Sequence, residues 1–185
     1  MALTPSTMLP LQTIAPDFNL PDTVSGKNLS LKDLKSDVAT VIMFICNHCP
    51  YVKHLNKGMA EFANDYSKQG VSIIAISSND VENYPADSPE KMRENAANEG
   101  FNFPYLYDED QSVAKAYKAA CTPDFYIFDK DLKLAYRGQF DDSRPGKEIT
   151  VTGKDMRQAL DKIIAGEKVN ENQTASMGCN IKWKA

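Results

Sequence analysis

Residues 40–54, "TVIMFICNHCPYVKH", decide the fold. Residues 39–46 are apolar or small on both alternating faces, the pattern of a central strand buried between two layers, and the run is too short for an ordinary helix. It ends in two cysteines spaced C-x-x-C, Cys46 and Cys49, with His48 between them and Pro50 after the second. From Pro50 the period changes. Val52, Leu55, Met59, Phe62 and Tyr66 recur at spacings of three and four, one face of a helix that Gly70 stops. Proline suits the first helical position, which predicts Cys49 at the N-cap. Unpaired N–H groups and roughly half a positive charge gather there, so a thiol at that point ionises more readily than a free one.

Working outward, "FNLPDTVSGKNLSLKDL" reads as two short strands around a turn at Ser25 and Gly26. After the helix, "VSIIAIS" is a second buried strand, and "SPEKMRENAANEG" a helix with Ser88 as N-cap, Pro89 in first position and Gly100 as stop. "FPYLYD" is a short strand and "DQSVAKAYKAA" a helix capped by Asp110. "DFYIFDKDLKLAYRGQF" predicts an antiparallel hairpin about a tight Asp-Lys-Asp turn. "TGKDMRQALDKIIAGE" predicts a last helix with Met156, Leu160, Ile163 and Ile164 on its apolar face, and "NENQTASMGCNIKWKA" a polar tail. Buried strands alternating with helices imply a three-layer α/β/α sandwich: a mostly parallel sheet with a late antiparallel hairpin. One domain is expected over residues 1–185, its core at about 14–166 and its tail at 167–185.

The 185 residues carry 21 basic and 25 acidic side chains without blocks of like charge, which argues against a nucleic-acid partner. The first residues lack a basic leader and no apolar run approaches the roughly 18 residues of a spanning helix, so the expectation is a soluble, cytoplasmic protein with no membrane partner. In that compartment four cysteines, Cys46, Cys49, Cys121 and Cys179, are expected as reactive, metal-binding or merely buried thiols rather than a disulfide framework.

Two readings of the C-x-x-C compete with plain burial. In one, Cys49 is a low-pKa nucleophile toward a disulfide or peroxide, with Cys46 at the strand end to resolve the product. In the other, "CNHC" with His54 supplies thiolates and imidazoles for zinc, although no second ligand pair of comparable spacing follows. His48 adjoins the nucleophile; His54 lies off the apolar stripe and reads as solvated. In "AACTPDFYIF", Pro123 stands at the entry of a buried strand, where its preceding bond can be cis, and Cys121 precedes it by two residues. "YRGQFDDSRPG" reads as a solvated, salt-bridged loop.

These motifs, in this order, resemble the thioredoxin-fold redoxins: "APDFNLPDTVSGKNLSLKDLKS" the entry motif, "TVIMFICNHCP" the strand and cysteine turn, "CTPDFYIFDKDLKLAYRG" the proline loop with its hairpin. With "YRGQFDDSRPG" and "GCNIKW" the chain is similar to an uncharacterised peroxiredoxin-like branch near the alkyl hydroperoxide reductase / thiol-specific antioxidant and TlpA-type proteins. The resemblance implies a thiol-disulfide oxidoreductase without cofactor or resident metal, working as monomer or homodimer with a disulfide or peroxide substrate and a thiol electron donor. Cys49 is the implied nucleophile, Pro123 the cis-proline beside it, and Thr122, with His48, the substrate-contacting residue. Alternatives are a thiol peroxidase with antioxidant activity and a non-catalytic or zinc-binding module. The family's second cysteine falls on Val52, its buried aspartate on Met43 and its tryptophan on His48, and the T-x-x-C of peroxidases is missing. The resolving thiol is thus open, with Cys46 expected first, Cys121 second and Cys179 third.

Overall fold

The computed structural model describes residues 3–185. Its main sheet has five strands in the order β6-β5-β4-β8-β9, built from β4 (Ala39–Phe44), β5 (Ser72–Ser77), β6 (Tyr105–Tyr107), β8 (Asp124–Asp129) and β9 (Leu134–Gly138). β4, β5 and β6 run parallel, while β8 is antiparallel to β4 and β9 to β8. A late hairpin therefore closes one side of a parallel sheet, as the sequence order predicts. The hairpin turn is looser than an Asp-Lys-Asp turn: Asp129 N–H reaches Lys133 O, and Leu132 takes a positive φ of 58° to close it.

Strand alternation sorts the core into two layers. Val41, Met43, Ile73, Ala75, Phe125 and Ile127 face one side, where they meet α2 (Pro50–Ser67), α3 (Pro89–Glu99) and α5 (Lys154–Ile164). Ile42, Phe44, Ile74, Ile76, Tyr126 and Phe128 face the other, under α1 (Leu31–Leu34), α4 (Ser112–Ala116) and the segment around Ala15 and Phe18. The five stripe residues of α2 are all buried, which at about 2 kcal/mol each gives roughly 10 kcal/mol of gross apolar burial holding this helix to the sheet. Gly70, at φ +80°, ends α2 with Val71 N–H returning to Tyr66 O and its own N–H to Ser67 O, the paired bonds of a left-handed C-terminal cap.

Several local expectations change in the fold. The cap of α4 is not Asp110 alone: Gln111 takes the N-cap position and the buried Asp108 carboxylate accepts from Val113 N–H and Ala114 N–H. Ile164 is 38% exposed, so the buried face of α5 is Met156, Ala159 and Leu160. The segment read as a polar tail is woven into the fold. Its strand β10 (Met177–Asn180) lies antiparallel between β1 (Leu3–Pro5) and β7 (Cys121–Thr122), and residues on either side of it bond to Gln139, Asn79, Asp80 and Gln111. β2 (Asn19–Pro21) and β3 (Asn28–Ser30) form the predicted hairpin. Among the described residues, no helix is long and apolar enough to cross a membrane.

Candidate functional site

β4 delivers the chain to the turn of Cys46, Asn47, His48 and Cys49, and α2 carries it away. Cys49 is the N-cap of α2 with Pro50 at the first helical position, and its carbonyl accepts from Val52 N–H and Lys53 N–H. The turn is held from below by Asp87, at the end of a 3-10 turn (Pro85–Asp87). Its fully buried carboxylate accepts from Asn47 N–H (2.8 Å), His48 N–H (3.2 Å), His48 Nδ1 (2.6 Å) and Asn79 Nδ2 (2.8 Å). Burial alone would raise its pKa, but those donors keep it below the usual carboxylate range. An ionised Asp87 has no proton to offer, so the proton of this bond sits on His48 Nδ1. His48 also stacks on Tyr84 at a centroid distance of 5.4 Å.

From above comes the strand pair β7–β10. Cys179 stands opposite Thr122 in its register. The Sγ of Cys49 lies 2.8 Å from Sγ of Cys179 and 3.2 Å from the carbonyl oxygen of Thr122, while Cys46 Sγ is 3.3 Å from Thr122 Oγ1. The Thr122–Pro123 peptide bond is cis. Gly178 makes the close approach possible, because a Cβ there would sit 2.0 Å from Thr122 O. All three thiols are nearly dry, with Cys49 at 0%, Cys46 at 1% and Cys179 at 4% exposure, and none of the four cysteines is in a disulfide.

The electrostatics separate the three. The Cys46 thiol is the largest influence on Cys49; it, the Cys179 thiol and the Val52 and Cys179 amides pull Cys49 down to about 5 against the opposing effect of burial. Cys46 is pushed well above the ordinary thiol value, first by its bond to Cys49, then by burial and the charge of Asp87. Burial first, then the contact with Cys49, raises Cys179 to about 12. The balance of these effects makes Cys49 the thiol of the cluster that ionises first, with Cys46 and Cys179 held protonated beside it.

The structure thus brings Cys46, Cys49, Cys179, Thr122, Pro123 and His48 together. Cys121, expected as the second-ranked partner, turns elsewhere. Adjacent residues of a strand face opposite sides, and its Sγ points to Pro123 O at 3.4 Å; burial, then the neighbouring Asp124, pushes its pKa up. Cys179, expected last, has the shortest contact to Cys49. Arg137, read as part of a solvated loop, is fully buried on β9 with Nη2 3.0 Å from Asp124 Oδ2 and its guanidinium over Tyr126. Arg144 is also ordered, donating to Asp141 O, Ser143 O and Gln139 Oε1. His54, read as solvated, is half-buried with a shielded Nε2. Asp87 and Asn79 escape a sequence reading because no local pattern ties them to a turn 39 residues from Asp87 and to Lys182 just beyond the chain's last strand.

Ligand atoms of Cys46, His48 and Asp87 lie within 4.8 Å of one another. A metal there would have to displace the 2.6 Å His48–Asp87 bond and deprotonate Cys46, whose thiol the site holds protonated. The zinc set of the sequence reading, with His54, is not assembled in that group.

The AhpC/TSA family matches residues 11–137. The crystal structure of an uncharacterized conserved protein from Geobacillus kaustophilus is 58% identical, covers 100% of this chain and 97% of its own, and superposes with a TM-score of 0.98. The thiol-disulfide oxidoreductase ResA of Geobacillus thermodenitrificans is 28% identical over 86% of this chain and 82% of its own length. The thioredoxin domain of a thiol-disulfide oxidoreductase from Bacteroides vulgatus, 15% identical, shares the fold at a TM-score of 0.63 over 83% of this chain and 99% of its own. By its fold, its thiol cluster and these likenesses, the chain is a thioredoxin-fold oxidoreductase that belongs to the AhpC/TSA family.

Proposed function

We propose that the protein performs thiol-disulfide exchange with Cys49 as nucleophile and Cys179 as resolving thiol, in a cytoplasmic setting where a thiol donor returns it to the reduced form. The observation that carries this reading is the 2.8 Å contact between Cys49 and Cys179 across β10, with Cys49 the lowest-pKa thiol of the cluster. The Cys49 thiolate attacks one sulfur of a disulfide R–S–S–R, forming a mixed disulfide and expelling RS⁻. Cys179 gives up its proton and attacks Cys49 Sγ, forming the Cys49–Cys179 disulfide and expelling the second RS⁻. Substrate gains two electrons and the protein loses them. Cys46 serves the step by donating its S–H to the thiolate. The absence of a T-x-x-C motif at Val52 favours exchange over peroxide reduction.

Trapping tests the assignment. Treated with a small symmetrical disulfide, Cys179→Ser should accumulate as a mixed disulfide on Cys49, seen as a stable mass increase of one R–S group, while the native chain releases both thiols. A Cys179→Ser protein that releases two thiols as fast as the native chain would overturn it.

A further inference from the structure

The segment "GCNIKW" supplies Cys179, and three residues further on it buries a charge: Lys182 is only 6% exposed. Its ammonium folds back on the strand it follows and donates to Asn180 O (2.7 Å) and Asn180 Oδ1 (3.1 Å), both neutral acceptors. No carboxylate lies within ion-pair distance of it among the described residues. The acidic side chains of the adjoining loop are engaged elsewhere. Asp80 accepts from Glu82 N–H and Asn83 Nδ2, and Asp87 from the four donors described above. Burying an ammonium without an anion is costly. The position is nonetheless fixed, since Lys182 N–H donates to Asn79 Oδ1 and its carbonyl accepts from Asp80 N–H and Gln111 Nε2.

This ammonium reaches both walls of the site. One is Asn180, the residue after Cys179 in β10; the other is Tyr84, whose ring centroid lies 5.6 Å from Nζ and which stacks on His48 of the cysteine turn. The titratable groups around Cys179 are thiols: Cys49 at 2.8 Å, Cys46 in the same turn, and Cys121 on β7 opposite Asn180. His54 of α2 lies further along, in a crevice with Met177, and β1 on the other edge of β10 brings no titratable side chain. The anion that the ammonium can meet is therefore a sulfur of the cluster.

The exchange reaction says which sulfur. In the reduced protein burial and the contact with Cys49 hold the proton on Cys179, while the Lys182 charge opposes them. Once Cys49 carries the mixed disulfide its sulfur is neutral, and its hold on that proton ends. Burial then stands against ionisation of Cys179 and Lys182 in favour of it, in a site dry enough that one charge is weakly screened.

We propose that Lys182 is a positioning residue for the resolving step: its ammonium stabilises the Cys179 thiolate that attacks the mixed disulfide on Cys49. The proposal rests on the exchange chemistry given above and deepens it. Cys179 loses its proton to solvent, the new Cys49–Cys179 bond forms, and the second RS⁻ leaves, so the balance written there is unchanged.

The full-length, reduced protein tests it with 4,4′-dithiodipyridine, whose two equivalents of 4-thiopyridone are followed by stopped-flow absorbance between pH 6 and 10. The first phase, attack by Cys49, scales with probe concentration; the second, resolution by Cys179, does not. Losing one charge interaction on the scale of about one pKa unit costs tenfold in thiolate and returns roughly threefold in nucleophilicity. Lys182→Met should therefore slow the second phase about threefold at pH 7 and move its pH profile up by about one unit, while the first phase stays within about twofold. Lys182→Arg, which keeps the cation, should restore both the rate and the profile. A second phase in Lys182→Met that follows the native one at every pH would overturn the proposal. So would equal slowing of both phases, or slowing that Lys182→Arg does not reverse, since either marks a purely structural role. Cys179→Ser releasing both equivalents as fast as the native chain would instead overturn the exchange reading itself, whatever the Lys182 variants do.

Discussion

Replacing Cys46 by alanine removes the group with the largest hold on the Cys49 thiolate. A hydrogen bond to a charged acceptor contributes about 1.5–3 kcal/mol, which corresponds to roughly 1–2 pKa units. Cys49 should therefore rise from about 5 to about 6–7. Cys46→Ser, which keeps a donor, should move it less. The assay is thiolate absorbance near 240 nm against pH, taken as the difference from Cys49→Ser in each background. Stability follows with a definite sign. A thiol whose folded pKa lies below its unfolded value of about 8.5 contributes stability that is complete above 8.5 and lost as pH falls through the folded pKa. With a folded value of about 5, this group's contribution at pH 7 is about 3 kcal/mol in the native chain. It should fall to about 1 kcal/mol in Cys46→Ala, with the two proteins converging below pH 5 as far as this group is concerned. A native midpoint near 8.5, or one unmoved by Cys46→Ala, would refute the reasoning.

Three further outcomes follow from other parts of the molecule. Arg137→Met strands the buried Asp124 carboxyl, which should cost about 3–5 kcal/mol and lower the urea midpoint by about 1–2 M, while Arg137→Met/Asp124→Leu recovers most of it; an unchanged midpoint contradicts the burial of that pair. Asp87→Ala removes three hydrogen bonds to the cysteine turn and a fourth to Asn79 and should cost at least about 3 kcal/mol and speed amide exchange at Asn47 and His48, with native exchange rates at those two amides counting against it. Gly178→Ala places a Cβ 2.0 Å from Thr122 O and should destabilise by about 1–3 kcal/mol in thermal unfolding, with loss of the Cys49–Cys179 link after oxidation; full stability would mean that β10 does not sit as described.

The parts of the fold that sequence discloses are those with local causes. The run at 39–46, the stripe from Val52 to Tyr66, the Ser88 cap and the Gly100 stop each carry their own period or terminus, and each forms the expected element. Cys49 as N-cap follows from Pro50 alone. The site is less legible because two of its sides arrive from afar. β10 is four residues long without a clear alternation, so nothing local marks "MGCN" as a strand, and its register pairs Cys179 with a residue 57 positions earlier, Thr122. That is why Cys179 ranks last by sequence and has the shortest sulfur contact to Cys49 in space. Arg137 misleads for a related reason: it lies at the end of a hydrophobic strand, where a charge reads as the start of a loop, and only the partner Asp124 on the neighbouring strand accounts for its burial. Asp108 displaces Asp110 as the main cap of α4 because Gln111 adopts a positive φ of 64°, which swings the helix start back over the earlier carboxylate.

In the proposed exchange reaction Cys49 pairs with Cys179 of β10 rather than with Cys46 within the C-x-x-C. Peptide mapping of the full chain after stoichiometric mild oxidation, under non-reducing conditions, tests it most directly. One dominant cross-link, Cys49–Cys179, is expected, with Cys46 and Cys121 recovered as thiols; a dominant Cys46–Cys49 link would overturn the pairing.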